Sequence, residues 1–370
     1  MGLRKIFLQL ASIGLAVLLA SVTALIGVED EARAAFPGQN GKIIYTAHEF
    51  AKYPDIYTMD SDGSNQNRFT SDPGNEGSAA WSPDGSRIAF LSQENRDKTT
   101  CYSYEIYIAK ADGSSLTRLT NDAHCELSLD WSPDGSKIVF TRAEARNDQS
   151  FNVGLYTMNA DGSDQKRITP AGTDAGANSS TAWSPDGSKI VFTLKDDIYT
   201  IDPSGAGLNR LTSSPGLEYL PDWSPDGSKI AFTKQTNPEA GYFYEAEIYT
   251  MNPDGSNQTH LTDNSGGSIE FPRIDYRPIW SPDGSMIAFT RREGHTHLNN
   301  FNQDIFTMNE DGSNLTRITS DSSLQEYAED WQPLPGPTVP ETKADCKNGG
   351  WRDFGYRNQG QCIKAVNATN

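Results

Sequence analysis

The sequence contains few residues of the kinds that carry catalysis. It has five histidines and four cysteines, and it contains no Gly-x-Ser-x-Gly, no His-Glu-x-x-His and no glycine-rich phosphate loop. These motifs position a serine nucleophile, a zinc ion and a phosphate group, respectively. Their absence excludes the enzyme classes built on them and favours a binding protein over a catalyst.

Positive charge is also scarce. The chain has 31 lysines and arginines against 49 aspartates and glutamates, a formal net charge of −18. A strongly acidic body repels phosphate backbones. We therefore expect no nucleic-acid partner.

Long apolar runs are absent except at the N-terminus. Met-Gly-Leu-Arg-Lys is followed by an apolar run from Ile6 to about Val28 and by Ala32-Arg33-Ala34. This order is typical of a secretory signal peptide, here residues 1–34. An uncleaved membrane anchor is the alternative, since roughly 20 apolar residues span a bilayer. We expect cleavage, a secreted or periplasmic protein, and no membrane span in the mature chain.

Six related segments divide the chain. Trp-Ser-Pro-Asp-Gly-Ser occurs five times, and a degenerate copy, Trp-Gln-Pro, begins at Trp331. The spacings of 50, 52, 40, 57 and 51 residues predict a propeller or a solenoid. The five complete copies begin at Trp81, Trp131, Trp183, Trp223 and Trp280.

Each repeat reads as a four-stranded antiparallel meander. We name its strands a, which ends at the tryptophan, then b, c and d. In the copy at Trp131, strand b follows from Lys137, strand c covers Leu155 to Met158, and strand d covers Arg167 to Thr169. Pro-Asp-Gly joins a to b and Asp-Gly joins c to d in most copies, because these residues favour tight turns.

The partial repeats at the two ends complete one another. The first unit begins at Lys42 with strand b, and Glu326 to Trp331 supplies a strand a alone. The sequence thus predicts an all-β, six-bladed β-propeller over residues 41–333, closed by the C-terminal strand completing the first blade. A proline-rich linker (334–345) and a small disulfide-stapled tail (346–370) follow.

The repeats resemble those of the TolB-type β-propellers, relatives of the WD-repeat propellers. The residues that carry the resemblance are Trp-Ser-Pro-Asp-Gly-Ser-Lys-Ile-Ala-Phe, Ile-Tyr-Thr-Met-Asn and Arg-Leu-Thr, between Lys42 and Pro333. The resemblance implies a six-bladed propeller in a secreted or periplasmic protein. The sequence predicts no counterpart of the α/β domain that precedes the propeller of TolB itself.

Four cysteines in an exported chain predict two disulfides, with three connectivities possible. Cys101 lies in the b–c loop of the second blade, and Cys125 lies in the d–a loop that leaves it. Both loops fall on one face, so we expect the pairs Cys101–Cys125 and Cys346–Cys362.

Variation between the repeats is confined to the b–c and d–a loops, which share one face of the propeller. We call this the variable face and the opposite one the turn face. Loops on a rigid scaffold carry function, so we expect the variable face to engage a protein or a cell-surface glycan as a monomer. Drift of unconstrained loops is the alternative. Aromatic candidates for stacking are Tyr102, Tyr104, Phe151, Tyr219, Tyr242, Phe243, Tyr244, Phe271, Phe301 and Tyr327.

Five of the six residues that lie five positions before the tryptophans are acidic. If the strands are equivalent, they form a ring near the mouth of the central channel. Such a ring could attract a cation or a basic group. The alternative is that these residues cap local turns or bond neighbouring loops. The six residues are Glu76, Glu126, Asn178, Glu218, Asp275 and Glu326.

An enzymatic function is the second hypothesis. His295 and His297 share one b–c loop. With the acidic ring they could form a metal or acid–base site of a glycan lyase, a hydrolase or a peptidase-related propeller. Asp60-Ser61-Asp62-Gly63 resembles the start of a calcium loop but lacks the closing Glu. We expect no cofactor, with a divalent cation such as calcium as the alternative.

Overall fold

The structure is a computed structural model. It describes residues 38–49, 52–71, 74–93, 104–122, 124–145, 151–170, 173, 180–236, 245–264, 273–295, 300–321 and 323–334. The regular elements of this part are all β-strands. It has no helix that is long and apolar enough to cross a membrane. The segments predicted as signal peptide and tail lie outside it, and so does the predicted linker except Leu334, which ends the last strand.

Four sheets contain four antiparallel strands each, in the predicted order a–b–c–d. We number them units 2 to 5. Unit 2 comprises β4 (Glu76–Trp81), β5 (Arg87–Ser92), β6 (Glu105–Lys110) and β7 (Thr117–Arg118). Unit 3 comprises β8 (Cys125–Trp131), β9 (Lys137–Ala145), β10 (Phe151–Asn159) and β11 (Lys166–Arg167). Unit 4 comprises β12 (Thr181–Trp183), β13 (Ile190–Leu194), β14 (Asp197–Ile201) and β15 (Asn209–Arg210). Unit 5 comprises β16 (Glu218–Trp223), β17 (Ile230–Gln235), β18 (Ala246–Met251) and β19 (Thr259–His260).

A fifth sheet contains eight strands. One half, unit 6, comprises β20 (Arg273–Trp280), β21 (Met286–His295), β22 (Asn300–Asn309) and β23 (Thr316–Arg317). The other half, unit 1, comprises β24 (Leu324–Leu334), β1 (Gln39–Glu49), β2 (Asp55–Met59) and β3 (Asn67–Arg68). A single parallel pair, Gln303 with Gln325, joins the halves. The antiparallel pairing of β24 with β1 is the one predicted from the partial repeats.

The a strands occupy the centre of the molecule. Strands β4, β8, β12, β16, β20 and β24 each contact the next, and β24 contacts β4. They are almost fully buried, whereas the two-residue d strands are mostly exposed. Each repeat tryptophan, at the end of its a strand, is at most 4% exposed. The apolar core therefore lies between neighbouring units, which explains why one repeat alone could not bury its apolar face.

The Trp-Ser-Pro-Asp-Gly-Ser motif folds into the tight turn that its residues favour. In the first copy, the Gly85 N–H donates to the Ser82 carbonyl at 2.7 Å, and Gly85 has a φ of 66°. The Asp84 carboxylate accepts from the Ser82 hydroxyl at 2.6 Å and from the Ser86 N–H at 3.0 Å. These bonds lower the pKa of Asp84 against the opposing effect of burial. The recurrence of this turn from copy to copy is thus explained by hydrogen bonds within the turn itself.

The glycines of the c–d turns provide a test of how the units pack. A Cβ added to Gly63 would lie 2.0 Å from the Ile318 carbonyl oxygen of unit 6, whereas one added to Gly113 would meet only Phe69, at 3.8 Å. Both glycines have positive φ, 84° and 81°. We expect Gly113→Ala to lower the free energy of unfolding by about 1 kcal/mol, because alanine is strained at a positive φ. Gly63→Ala should cost about 2 kcal/mol, because the backbone of unit 6 must also move. Urea unfolding of both variants checks this, and equal losses would contradict the close packing of unit 1 on unit 6.

Candidate functional site

The acidic residues of the predicted ring lie near the start of the a strands. Each occupies one of the first three positions of its strand and is at most 1% exposed. Asn178 lies outside the described residues. The described members are Glu76, Glu126, Glu218, Asp275 and Glu326.

Three of these carboxylates form ion pairs with the residue opposite them on strand b. Glu126 accepts from the Arg142 guanidinium at 2.7 and 2.9 Å. Asp275 binds Arg291 through two bonds of 2.6 and 2.7 Å. In unit 5 the distance from Glu218 Oε1 to Lys234 Nζ is 2.8 Å. The partners of these three acids are cations of strand b, which the sequence analysis did not predict, and a role of the ring in binding stays a prediction.

Glu326 differs from these three because Ala47 lies opposite it on strand b. Burial raises the pKa of Glu326 to about 7, and the nearby Asp304 and Asp321 add to this effect. The Thr319 hydroxyl and Arg317 oppose it. Glu326 is therefore partly protonated near neutral pH. Burial raises the pKa of the paired Glu126 to about 7 as well, against the effect of Arg142, so the raised pKa alone does not set Glu326 apart.

Sequence reasoning missed three buried aspartates directly before the tryptophans of alternate repeats. Asp130 accepts from the Trp131 N–H at 2.8 Å and from the Trp183 N–H of the next unit at 2.7 Å. Asp330 bonds Trp331 and Trp81 in the same way, both at 2.7 Å. The recurrence of Asp before the tryptophan in every second copy was the available signal. We call Asp130, Asp222 and Asp330 the clamp aspartates.

The third clamp aspartate, Asp222, accepts from the Trp280 N–H at 2.7 Å and is fully buried. Burial raises its pKa well above the ordinary value, and the Asp330 and Asp130 carboxylates raise it further, against the N–H bonds that lower it. The clamp aspartates thus influence one another electrostatically near the centre of the molecule.

Three tyrosines lie at equivalent positions on consecutive a strands, at their variable-face end. Tyr219, Tyr276 and Tyr327 each stand four residues before the tryptophan, opposite a threonine of strand b, and each is partly exposed. The rings of Tyr276 and Tyr327 meet edge to face at 6.5 Å, and the Tyr276 hydroxyl donates to Gln303 at 2.8 Å. We call these three residues the tyrosine arc.

The tyrosine arc rests on a buried ion pair. Arg277, next to Tyr276, is 1% exposed and has a φ of 58°. Its guanidinium binds Glu329 at 3.1 Å and lies 4.9 Å from the ring centre of Tyr327. The imidazole of His48 stacks on the ring of Tyr327, with 5.9 Å between the two ring centres. Burial lowers the pKa of His48, against a bond to the Glu49 carbonyl, so this stacked ring is neutral at pH 7.

This arrangement places three partly exposed tyrosines on the variable face, and one of their hydroxyl groups donates to the buried amide of Gln303. Such groups stack on sugar rings or on peptide side chains and bond to their polar atoms. At the positions of the tyrosines, units 2 and 3 carry Gly77 and Leu127. Among the described a strands, a tyrosine occupies this position only in units 5, 6 and 1.

The aromatic residues predicted for this face have different outcomes. Tyr219 and Tyr327 belong to the tyrosine arc, whereas the sequence analysis did not predict Tyr276. Tyr104 is buried in the core, and Phe151 is 37% exposed. The structure describes only the backbone of Phe301 and of His295. Outside the described residues lie Tyr102, Tyr242, Phe243, Tyr244, Phe271 and His297.

Two further predictions concern cysteines and metals. Cys125 begins β8, is 1% exposed and is not a free thiol. The proposed partner Cys101, together with Cys346 and Cys362, lies outside the described residues, so both pairings stay predictions. Within the described ranges, no group of three or more His, Cys, Asp or Glu side chains is arranged to hold a metal ion.

Comparison with known proteins shows similarity in fold. No protein-family model matches the chain, and no curated protein matches it in sequence. TolB from Acinetobacter baumannii superposes with a TM-score of 0.62 at 23% identity, over 80% of this chain and 68% of that one. A structure assigned as TolB from Agrobacterium tumefaciens gives 0.53 at 18%, over 80% and 100%. A chain of a nidogen/laminin complex gives 0.53 at 10%, over 78% and 100%. The chain is thus a β-propeller with four-stranded antiparallel blades.

Proposed function

We propose that the six units are the six blades of one closed propeller. Support comes from the closed order of contacts among the a strands. The single parallel pair that joins units 6 and 1 divides the eight-stranded sheet into two blades of the same strand order as the others. Strand β24 then completes the first blade, and no blade is left with an open inner edge.

We propose further that the protein is an exported, non-catalytic binding module that engages a protein or a glycan through its variable face. The observation that carries this proposal is the tyrosine arc, because three partly exposed tyrosines stand at equivalent positions at the variable-face end of three consecutive a strands. Tyrosine supplies large contact area at low conformational-entropy cost. The signal-peptide pattern of residues 1–34 and the similarity in fold to TolB support a secreted or periplasmic location.

The test is to replace the tyrosine arc. A variant with Tyr219→Ala, Tyr276→Ala and Tyr327→Ala should lose binding at least about tenfold, which is about 1.4 kcal/mol. Binding is measured on a glycan array and by capture from envelope extract, each with and without residues 334–370. The addition of a chelator tests for a divalent cation such as calcium.

The matched control is Leu315→Ala, which removes a side chain that is 46% exposed on the turn face. It should leave binding unchanged. Unaltered binding by the triple variant, with an unaltered thermal unfolding midpoint, would overturn the proposal.

A further inference from the structure

Three polar side chains form one row across the sheet that units 6 and 1 share. Gln303 of β22 lies opposite Gln325 of β24, and Gln325 lies opposite His48 of β1. Residues that lie opposite one another on neighbouring strands project to the same side of a sheet. The three side chains therefore stand side by side at the variable-face end, over about 10 Å given the usual strand spacing. We call Gln303, Gln325 and His48 the polar row.

The polar row adjoins the tyrosine arc. Tyr327 stands two residues after Gln325 on the same strand and so projects to the same side of the sheet. Its ring stacks on that of His48, with 5.9 Å between the ring centres. The Tyr276 hydroxyl donates to Gln303 Oε1 at 2.8 Å. The rings of the arc and the polar groups of the row thus belong to one site.

The amide of Gln303 uses only part of its hydrogen-bonding capacity. The residue is 3% exposed, and its Nε2 atom is buried and has no hydrogen-bond partner in the described part of the chain. If the amide were turned over, its oxygen would be the atom without a partner, so either orientation leaves one polar atom unpaired. Buried polar atoms normally have a partner. This atom therefore points to a group that the chain itself does not supply.

The ring of His48 offers a hydrogen-bond acceptor at the other end of the row. Its Nδ1 atom lies 3.1 Å from the Glu49 carbonyl oxygen, which can only accept, so Nδ1 carries the proton. Burial lowers the pKa of His48, against this bond, and the ring is neutral at pH 7. In the neutral ring the second nitrogen, Nε2, has a lone pair. A ligand at the row therefore meets an acceptor on His48 and an amide on Gln303.

Charged side chains near the row are paired or lie on the other side of the sheet. The residues that follow the two glutamines, Asp304 and Glu326, project to the opposite side because side chains alternate along a strand. Arg277 binds Glu329 at 3.1 Å. Arg292, opposite the first glutamine on β21, has an interaction of its own within the chain. The row therefore favours a ligand that is recognised by hydroxyl groups rather than by charge.

We propose that the polar row binds a saccharide, with one ligand hydroxyl donating to His48 Nε2 and a neighbouring hydroxyl paired with the Gln303 amide. A hydroxyl group both donates and accepts, so it suits the lone pair of His48 and the amide in either orientation. The sugar ring would lie against the tyrosine arc, whose rings suit its C–H groups. This inference rests on the proposed function, because it names the ligand of the same variable face. A protein ligand would leave the proposed function in place and overturn this inference.

The experiment is a screen of the full chain on an array of neutral and acidic oligosaccharides, followed by calorimetry with the tightest binder. The matched ligand is the per-O-methylated form of the same oligosaccharide, which keeps the sugar rings and loses the hydroxyl donors. The free oligosaccharide should bind at one site, and the methylated form should bind at least about tenfold more weakly, because the bond to His48 is lost. This comparison tests the contacts of the row without altering the protein.

Two variants test the same contacts from the side of the protein. His48→Phe keeps a ring on Tyr327 and removes Nε2, and Gln303→Leu removes the amide at similar volume. Each should weaken binding about three- to tenfold, the range for one hydrogen bond. The matched control is His260→Phe on the outer strand of unit 5, which removes a histidine that stacks on Tyr249 at 4.7 Å. It should bind as the unmodified chain does.

Each of three results would overturn the inference. The first is an array on which no oligosaccharide is bound, and the second is equal binding of the free and the methylated ligand. The third is unchanged binding by both His48→Phe and Gln303→Leu. In any of these cases, loss of partner capture by the triple tyrosine variant would keep the proposed function and reject only the saccharide at the polar row. Unchanged capture by the triple variant would reject the proposed function as well.

Discussion

Asp130→Ala is expected to destabilise the protein by about 3–5 kcal/mol. The substitution leaves the N–H groups of Trp131 and Trp183 buried without their acceptor, in two neighbouring units. Each buried donor left unsatisfied costs about 1–3 kcal/mol, and two donors are affected. Urea unfolding followed by tryptophan fluorescence measures the loss.

The matched control is Asp161→Ala in an exposed c–d turn. Asp161 also accepts two bonds, from the N–H and hydroxyl of Ser163 at 3.0 and 2.6 Å, but within one turn and in contact with solvent. Its loss should be below about 1 kcal/mol. Equal losses for the two variants would show that the clamp aspartates do not hold neighbouring units together.

Glu326→Gln is expected to stabilise the protein at pH 8 by up to about 3 kcal/mol, the equivalent of the rise in the pKa of Glu326 from 4.5 to about 7. Because the folded state raises this pKa, the stability linked to protonation is fully present below pH 4.5 and is lost as the pH rises through 7. Glutamine is neutral throughout and removes this loss. Urea unfolding at pH 4 and pH 8 should give nearly equal stability for variant and parent at pH 4 and the difference at pH 8.

Glu218→Gln provides the contrast for this prediction. Glu218 is buried to the same degree, but its carboxylate is paired with Lys234 at 2.8 Å. Its replacement leaves that ammonium without its counter-charge and should lower stability at pH 8. If both glutamine variants shift stability in the same direction, the absence of a cation opposite Glu326 is not the cause of the stabilisation by Glu326→Gln.

The repeat pattern predicted the strand order within each unit and the pairing of β24 with β1, because both depend on local signals that recur. Pro-Asp-Gly and Asp-Gly fix the turns, and the apolar strands between them can bury their faces only against neighbouring copies. The pairing of β24 with β1 followed from the strands missing at each end of the repeat array. These features needed only the order of residues within one repeat.

The features that distinguish one blade from another were harder to predict. Asp130 and Asp222 bond tryptophans 53 and 58 residues away, and Asp330 bonds Trp81 across 249 residues. The tyrosine arc requires three neighbouring strands in register. Ser92 of unit 2 differs from Arg142 and Arg291 at the same position, and this difference is evident only when the strands are aligned by the register of each sheet. Side-chain contacts between copies depend on how the copies pack, and the sequence of a single repeat does not determine that packing.

The pairing of β24 with β1 also has a consequence for how the protein acquires its structure during synthesis. The Lys42 N–H bonds the Gln332 side chain across 290 residues of sequence. A ribosome adds 5–20 residues per second, so strand β1 emerges roughly 15–60 seconds before its partner. Units 2 to 6 can form in chain order from strands that are close in sequence. Unit 1 stays incomplete until β24 is synthesised, and until then the exposed edge of β1 can pair with a wrong strand. A nascent chain held at residue 323 should therefore be readily captured by chaperones, and release of the last strand should end that capture.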